Sequence, residues 1–223
     1  MPELAVILPA YNVEDAIARI LRQLKENLPQ AAVVVVDDGS TDRTAAIVRQ
    51  FAHVQLLSHT TNLGKGAALK TGIRFVRTQI TPEWYAFMDA DGQHAPADLK
   101  KLVLTAKANK GDFLIGRRDF RPGLMPIPRI LSNRITSLLI SHKIGQRVHD
   151  SQSGMRVIKR TIIEAMPELA SNGYEFESEF LLKAGGMSVT FYEVPIGTRY
   201  SNERSHIRPL RDVARFIKVY LKT

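Results

Sequence analysis

The feature that most constrains this chain is the alternation of short apolar runs with segments of helical periodicity. The clearest run is AVVVV at residues 32–36, which is continuous and β-branched, as expected of a strand buried on both faces. Similar runs occupy residues 4–8, 54–58, 84–88 and 112–116. Strands that alternate with helices predict βαβ units, and so an α/β fold with a mainly parallel, Rossmann-like sheet flanked by helices.

Helices are predicted where apolar residues recur three and four positions apart. In the first half these helices cover residues 13–27, 41–51, 62–76 and 96–109. The second half is less regular, and its predicted elements are helices over 129–144 and 175–183, strands over 154–158 and 189–195, and a basic amphipathic helix toward residue 223. A chain of 223 residues with this pattern is expected to form one domain over residues 1–223.

Composition excludes several classes of protein. The chain contains no cysteine, which excludes a disulfide scaffold, a cysteine zinc site and a thiol nucleophile. The N-terminus has only a short apolar run and no basic leader, so we expect no signal peptide. No stretch approaches the length of a membrane span, so any membrane attachment is expected to be peripheral.

The charge of the chain is positive and unevenly placed. The net charge is +9 and the isoelectric point is about 9.9. Between Arg117 and Arg160, ten lysines and arginines accompany only two acids, Asp119 and Asp150. A basic surface can serve solubility alone, but this concentration predicts an anionic partner: nucleic acid, an anionic membrane surface or a phosphorylated substrate.

Polar motifs follow three of the predicted strands, at residues 9–12, 37–42 and 89–94. Ligands of open α/β sheets bind beyond the carboxyl ends of the strands, so these motifs mark the expected site. In the second motif, a turn in which Ser40 or Thr41 caps the next helix explains the glycine and the serine. It does not explain the adjacent carboxylates of Asp37 and Asp38, which can accept hydrogen bonds from a ribose or a base.

The loop NLGKG at residues 62–66 lacks the glycine–lysine spacing of a P-loop. Its glycines permit close backbone approach at a helix start, and Lys65 adds a positive charge. A tight entry into a helix and direct contact with a ligand explain this loop equally well.

The motif MDADGQH at residues 88–94 places two carboxylates one residue apart at the end of a strand. In extended backbone Asp89 and Asp91 point to the same side and can present oxygens to one point. Such oxygens suit Mg²⁺ or Mn²⁺, ions that take their remaining ligands from water and substrate phosphates. Gln93 or His94 can add a ligand, although His94 is expected to be a surface loop residue. A polar turn after a buried strand is the alternative.

In this order, LPAYNVE, VVVVDDGSTD, NLGKGAAL and MDADGQH resemble the motifs of family 2 glycosyltransferases of the GT-A fold. Four later segments are similar to the polyprenyl-phosphate branch, typified by dolichyl-phosphate mannosyltransferases: GRRDF, PIPRILSNRITSLL, DSQSGMRVIKR and NGYEFESEFLLKA. The resemblance covers residues 4 to about 200. It implies a nucleotide-sugar-binding half over residues 1–116, an acceptor half over 117–200, and a C-terminal loop and helix over 201–223.

The resemblance implies a nucleotide-diphosphate sugar as donor, with GDP-mannose and UDP-glucose both suited, and an inverting, metal-dependent transfer. The residues implied to border the nucleoside are Pro9, Tyr11, Glu14 and Asp38. The metal and the donor diphosphate are implied to be held by Asp89, Asp91 and Gln93, with Mg²⁺ or Mn²⁺ as the ion. Lys65 is a further candidate for substrate binding, and Arg199 and Arg204 are implied to close over the donor phosphates.

On the acceptor side, Arg117 and Arg129 match positions that meet a lipid phosphate in this branch, and a planar guanidinium can grip phosphate at two points. The residues that match a motif lining the sugar site are Asp150, Gln152 and Ser153. Glu179 matches the acid of a Y-x-F-x-x-E pattern, with Glu175 and Glu177 as alternatives. A phosphate acceptor is already anionic, whereas a hydroxyl acceptor needs a carboxylate base such as Glu179.

The expected function is transfer of mannose or glucose to a polyprenyl phosphate, such as dolichyl or undecaprenyl phosphate. The alternative is transfer to a sugar hydroxyl in polysaccharide or glycolipid synthesis. A nucleic-acid-binding module is disfavoured because no such signature accompanies the basic residues. A sugar-nucleotide-binding protein without transferase activity is disfavoured because the metal and acceptor motifs are both present.

We expect the enzyme to be cytoplasmic and peripheral on the inner face of an anionic membrane. The helix over 129–144 and the basic C-terminal helix suit that surface. For the C-terminal helix, a face that covers the core and leaves basic residues in solvent is an equal alternative.

Overall fold

The computed structural model of the protein describes residues 2–108, 111–120, 127–197 and 209–223. The strands are β1 (Leu4–Ala10), β2 (Ala32–Asp37), β3 (Val54–Ser58), β4 (Trp84–Phe87), β5 (Phe113–Arg117), β6 (Arg156–Lys159) and β7 (Phe191–Pro195). The helices are α1 (Glu14–Asn27), α2 (Thr44–Val48), α3 (Lys65–Gln79), α4 (Pro96–Lys107), α5 (Ile127–Ile144), α6 (Arg160–Ala165), α7 (Phe176–Gly186) and α8 (Pro209–Lys222).

These strands form one sheet in the order β3-β2-β1-β4-β6-β5-β7. All run parallel except β6, which is antiparallel to both of its neighbours, β4 and β5. The predicted α/β fold with a mainly parallel sheet is confirmed. The reversal of β6 brings the loop before it, residues 150–155, to the edge where the parallel strands end.

The core lies on both faces of the sheet because successive residues of a strand point to opposite sides. Leu8 and Val35 belong to the layer under α1 and α4, while Ile7 and Val34 belong to the layer under α3 and α7. All four side chains are completely buried. The prediction that the apolar run at residues 32–36 is a strand buried on both faces is therefore confirmed.

Two local predictions differ from the structure. Helix α2 is shorter than the predicted 41–51, and neither Ser40 nor Thr41 caps it. The amide of Thr44 instead donates to Asp42 Oδ1 at 2.8 Å, while Ser40 Oγ accepts from the amide of Asn12 at 2.9 Å. The serine is thus used to hold the turn after β1, a long-range contact that local capping rules do not include. Helix α6 was not predicted.

None of the helices in the described part of the chain combines the length and apolarity needed to cross a membrane.

Candidate active site

Asp38, which directly follows β2, is buried and holds the loop that leads into α3. Its Oδ1 accepts from the amide of Leu63 at 3.0 Å, and its Oδ2 accepts from the amide of Gly64 at 2.8 Å. The neighbouring Asp37 lies at the turn, where its Oδ1 accepts from the amide of Ser40 at 3.2 Å. The two adjacent carboxylates therefore have separate tasks, and Asp38 is the one that joins two loops of the site.

The other residues expected beside the nucleoside lie at the end of β1. Pro9 belongs to that strand, Tyr11 follows it and is half-buried, and Glu14 is the first residue of α1. Glu14 Oε2 accepts from Nε of Arg43 at 2.9 Å, and this hydrogen bond lowers the pKa of Glu14. These residues and Asp38 thus lie at one edge of the sheet. Glu14 is paired with Arg43, the residue directly before α2.

Lys65, the first residue of α3, joins the strand end of β4 to helix α7. Its Nζ lies 2.6 Å from Asp89 Oδ1 and 2.6 Å from Glu177 Oε1. Burial by itself lowers the pKa of Lys65, but the two carboxylates outweigh burial and raise the pKa above its ordinary value. For Asp89, burial raises the pKa and the ammonium of Lys65 lowers it, with a net decrease. The cluster is therefore one cation between two carboxylates.

Gly154, in the loop before β6, lies directly against the carboxylate of Asp89. A Cβ built on Gly154 would lie 2.2 Å from Asp89 Oδ2, far inside van der Waals contact. No side chain fits at residue 154 while Asp89 keeps this position. The glycine of the DSQSG segment is thus required by the aspartate of the MDADGQH motif, although the two are far apart in sequence.

The remainder of the MDADGQH motif forms a tight turn after Asp89. Asp91 Oδ1 accepts from the amide of Gln93 at 2.9 Å, and both residues are half-buried. The expectation of a surface histidine is wrong, because His94 is only 3% exposed, in the crevice between α1 and the start of α4. Burial lowers the pKa of His94 to about 4, so its imidazole is neutral at physiological pH.

Chemically, the donor set at Asp89, Asp91 and Gln93 suits Mg²⁺ or Mn²⁺, which prefer oxygen ligands. Within the described ranges no three acids or histidines come together to enclose an ion. Two carboxylates at a strand end fit an ion that completes its shell with substrate phosphate and water. Arg199 and Arg204, expected to close over the donor phosphates, lie outside the described residues.

A basic groove of about 800 Å³ lies beyond β5 and α5. Its charged and imidazole-bearing lining residues are Arg117, Arg118, Asp119, Arg134, Arg147 and His149. Arg117, which was expected to meet the acceptor phosphate, is one of these lining residues. Arg129 lies in the first turn of α5 and is not among the described residues that line the groove. Arg134 and Arg147, which sequence reasoning counted only as part of a basic segment, line it instead.

Asp150 is completely buried and holds Arg118 at the groove. Its oxygens accept from Nε and Nη2 of Arg118, both at 2.8 Å, and from Nδ2 of Asn133 at 2.9 Å. Burial raises the pKa of Asp150, but the guanidinium outweighs it and lowers the pKa. Of the other residues expected to line the sugar site, Ser153 is fully buried and Gln152 donates to Thr136 Oγ1 at 3.3 Å.

The three glutamates around the start of α7 point in different directions. Glu179 accepts from the amides of Ala170 and Ser171, at 3.0 and 2.7 Å, and pairs with Lys183 at 2.7 Å. Glu175 accepts from the amide of Gly173 at 3.2 Å. Glu177 reaches Lys65, so it is the glutamate that the fold brings to Asp89, whereas Glu179, the residue matched by pattern, holds the preceding loop.

The fold is an α/β fold with a mainly parallel sheet, an acidic motif after the central strand β4 and a basic groove beyond β5. The chain belongs to glycosyltransferase family 2: the family model described as Glycosyl transferase family 2 matches residues 5–166. The expected membership is confirmed.

Two curated relatives span most of the chain. The UDP-N-acetylglucosamine–dolichyl-phosphate N-acetylglucosaminyltransferase of Methanococcus voltae is 30% identical over 88% of this chain and 85% of its own length. The polyprenol monophosphomannose synthase of Mycolicibacterium smegmatis is 30% identical over 86% of this chain and 75% of its own.

Among solved structures, glucosyl-3-phosphoglycerate synthase from Mycobacterium tuberculosis, in complex with Mn²⁺, uridine diphosphate and phosphoglyceric acid, superposes with a TM-score of 0.75. The match covers 98% of this chain and 77% of that one, at 20% identity. This likeness shows the GT-A fold.

Proposed function

We propose that this glycosyltransferase moves a hexosyl group, mannose or glucose, from a nucleotide-diphosphate sugar to a polyprenyl phosphate at a membrane surface. The observation that carries the proposal is an exposed apolar stripe on α5 that runs into the basic groove. Its members are Ile127, Leu131, Ile135 and Leu138, which are 70%, 59%, 51% and 71% exposed. Leu138 also lines the groove, so apolar surface and cationic side chains meet there. A phosphate attached to a hydrocarbon chain needs that combination.

The names of the two curated relatives support the acceptor class, since one is named for dolichyl phosphate and the other for polyprenol. On the donor side we propose GDP-mannose or UDP-glucose, with the nucleoside beside Asp38 and the diphosphate beside Asp89 and Asp91. A bound Mg²⁺ or Mn²⁺ would neutralise the charge that develops on the leaving diphosphate. Lys65 adds a second positive charge next to that position.

In the proposed reaction, an oxygen of the acceptor phosphate attacks the anomeric carbon opposite the leaving group, so the configuration inverts. Arg117, Arg118 and Arg134 orient that phosphate, which restricts the attack to one direction. The phosphate is already ionised near neutral pH, so no side chain has to remove a proton. Glu177 pairs with Lys65 and so fixes the ammonium beside the diphosphate.

The helices α5 and α8 support peripheral attachment to the inner face of an anionic membrane. In α8, Phe216, Val219 and Tyr220 pack against the core. A second set on the same helix is exposed: Val213, Ile217 and Leu221 are 51%, 50% and 76% exposed. Exposed apolar residues beside lysines are typical of helices that lie in a membrane interface.

The test is transfer of labelled sugar from each donor, with Mn²⁺, to polyprenyl phosphate in anionic liposomes, and to water-soluble sugars and phosphoglycerate in parallel. We expect product with the lipid acceptor, and Arg117→Gln to raise KM for it about tenfold with KM for the donor unchanged. Leu131→Ser with Leu138→Ser should reduce flotation with anionic liposomes. Leu104→Ser is the matched control, since Leu104 is an exposed leucine of α4 (57%).

Transfer to soluble hydroxyl acceptors and none to the lipid phosphate would overturn the proposed acceptor and favour the polysaccharide or glycolipid alternative. Hydrolysis or transfer without any divalent ion would overturn the proposed metal dependence.

A further inference from the structure

A histidine that the sequence motifs did not single out links the end of β3 to the donor side of the site. His59 Nδ1 lies 2.6 Å from Asp38 Oδ1, and His59 Nε2 lies 3.0 Å from Thr71 Oγ1. The side chains of His59 and Asp38 are only 11% and 5% exposed. Three elements therefore meet at one imidazole: the strand end of β2, the residue after β3, and helix α3.

The contact with Asp38 assigns a direction to one of the two hydrogen bonds of His59. A carboxylate only accepts, so Nδ1 carries a proton and donates it to Asp38. Nε2 forms a second hydrogen bond with the hydroxyl of Thr71, which can act as donor or acceptor. Thr71 fixes the plane of the imidazole, and the imidazole fixes one oxygen of Asp38. In buried histidines, the hydrogen bond made by one ring nitrogen commonly sets the role of the other nitrogen.

The oriented carboxylate of Asp38 controls the entry into α3. Its oxygens also hold the amides of Leu63 and Gly64, directly before Lys65. Gly64 has φ +103°, and a Cβ there would lie 2.4 Å from the carbonyl oxygen of Asn172, so the loop is closely confined. The next residue, Lys65, pairs with Asp89. A shift of Asp38 would therefore change its own expected contact with the nucleoside and, through the loop, the position of Lys65 beside the expected diphosphate site.

We infer that His59, held by Thr71, is a positioning residue for the donor site: it orients Asp38 toward the nucleoside and seats the loop that delivers Lys65. The inference rests on the proposed function for its effect on donor binding. Its structural part, the seating of the loop at residues 62–64, is independent of that function and can be measured without a donor.

The variants are chosen to remove one contact at a time. His59→Phe fills the space without either hydrogen bond, and His59→Asn keeps an amide nitrogen that can donate to Asp38. Thr71→Val removes the hydroxyl at nearly constant volume. Thr78→Val is the matched control, since Thr78 is on the same helix and its exposed hydroxyl donates only to backbone carbonyls within α3.

Two measurements separate the inference from the proposed function. In the protein without ligands, amide hydrogen exchange at Leu63 and Gly64 should accelerate about tenfold in His59→Phe and Thr71→Val, and stay unchanged in Thr78→Val. With Mn²⁺ and the donor, His59→Phe should raise KM for the donor about tenfold while KM for the acceptor and kcat change little. His59→Asn should recover most of that loss.

Unchanged exchange at Leu63 and Gly64 in His59→Phe would overturn the inference. Faster exchange with an unchanged KM for the donor would also overturn it, because the network would then serve stability alone. If the wild type binds no nucleotide diphosphate, the proposed function fails, and the exchange data alone then decide whether His59 seats the loop.

Discussion

The ammonium of Lys65 lies 2.6 Å from Oδ1 of Asp89, so the carboxylate expected to face a metal is already paired with a cation of the protein itself. The same ammonium is 2.6 Å from Glu177. The half-buried Asp89 and the buried Glu177 would repel each other if no cation lay between them. Lys65 therefore allows the strand end of β4 and the start of α7 to approach in the absence of any ligand.

Removal of this cation should destabilise the fold. We expect Lys65→Met to lower the free energy of unfolding by about 3 kcal/mol at pH 7, because it removes the cation that pairs with the half-buried Asp89 and the buried Glu177. Urea unfolding followed by circular dichroism measures this. Lys107→Met is the control, since Lys107 and Glu3 form an exposed pair, and it should cost less than about 1 kcal/mol. Equal losses in the two variants would contradict a special role for Lys65.

The loss in Lys65→Met should depend on pH. Lys65 keeps the pKa of folded Asp89 below its ordinary value of 3.8. A group with a lowered folded pKa stabilises the protein fully above its unfolded pKa and loses that effect as pH falls through the folded value. The difference between wild type and variant should therefore be constant near neutrality and shrink below about pH 4. A difference that grows in acid would contradict this assignment.

Gly154→Ala should damage the site more than the fold. The new methyl group would meet Asp89 Oδ2 at 2.2 Å, so the carboxylate has to rotate away. Because small displacements of a reacting group cost about 100-fold in rate, we expect a loss of that order in kcat/KM for the donor. Calorimetric titration with Mn²⁺ and nucleotide diphosphate should show weakened binding. Gly186→Ala is the control, since a Cβ there has nothing within 4 Å.

Glu179 and Glu177 should differ in what their substitution impairs. Glu179→Gln should lower stability, because the carboxylate holds two amides and Lys183. Burial raises the pKa of Glu179, but these donors outweigh it and lower the pKa below its ordinary 4.5. The loss should thus appear above that pH and vanish in acid. Glu177→Gln should instead weaken donor binding.

The variant Glu179→Gln also distinguishes a hydroxyl acceptor from a phosphate acceptor. Glu179→Gln should cripple an enzyme that uses a hydroxyl acceptor, if Glu179 is its base, and spare one that uses a phosphate acceptor. A pH–rate profile that loses its acidic limb in Glu179→Gln would count against a lipid-phosphate acceptor.

Asp150→Asn should release Arg118 into the groove. Asparagine keeps only one of the two acceptor oxygens, so the paired hydrogen bonds from Nε and Nη2 are broken and the guanidinium loses the negative charge of Asp150. We expect a loss of about 3 kcal/mol in the free energy of unfolding and a higher KM for the acceptor. Asp112→Asn is the control, since that aspartate is 59% exposed in its pair with Lys159. A large effect in the control would show that net charge, not Asp150, is responsible.

The sequence by itself determined most of the helices and strands and the edge of the sheet at which the motifs lie. The run at residues 32–36 is a strand buried on both faces, and the motifs with Asp38 and Asp89 follow strands of the parallel sheet. These features depend on local hydrophobic periodicity, which can be read directly from the order of the residues. The ordered series of motifs also led to the family that the family model matches.

Only the tertiary structure decided which partners the site residues take. Glu177 and Glu179 are two residues apart on a helix, so they point to nearly opposite sides, and packing alone chooses which of them meets Lys65. The direction of β6, the burial of His94 and the hold of Asp150 on Arg118 likewise depend on contacts between distant segments. Local sequence patterns determine the helix, strand or turn in which a residue lies, and long-range packing determines which partners its side chain contacts.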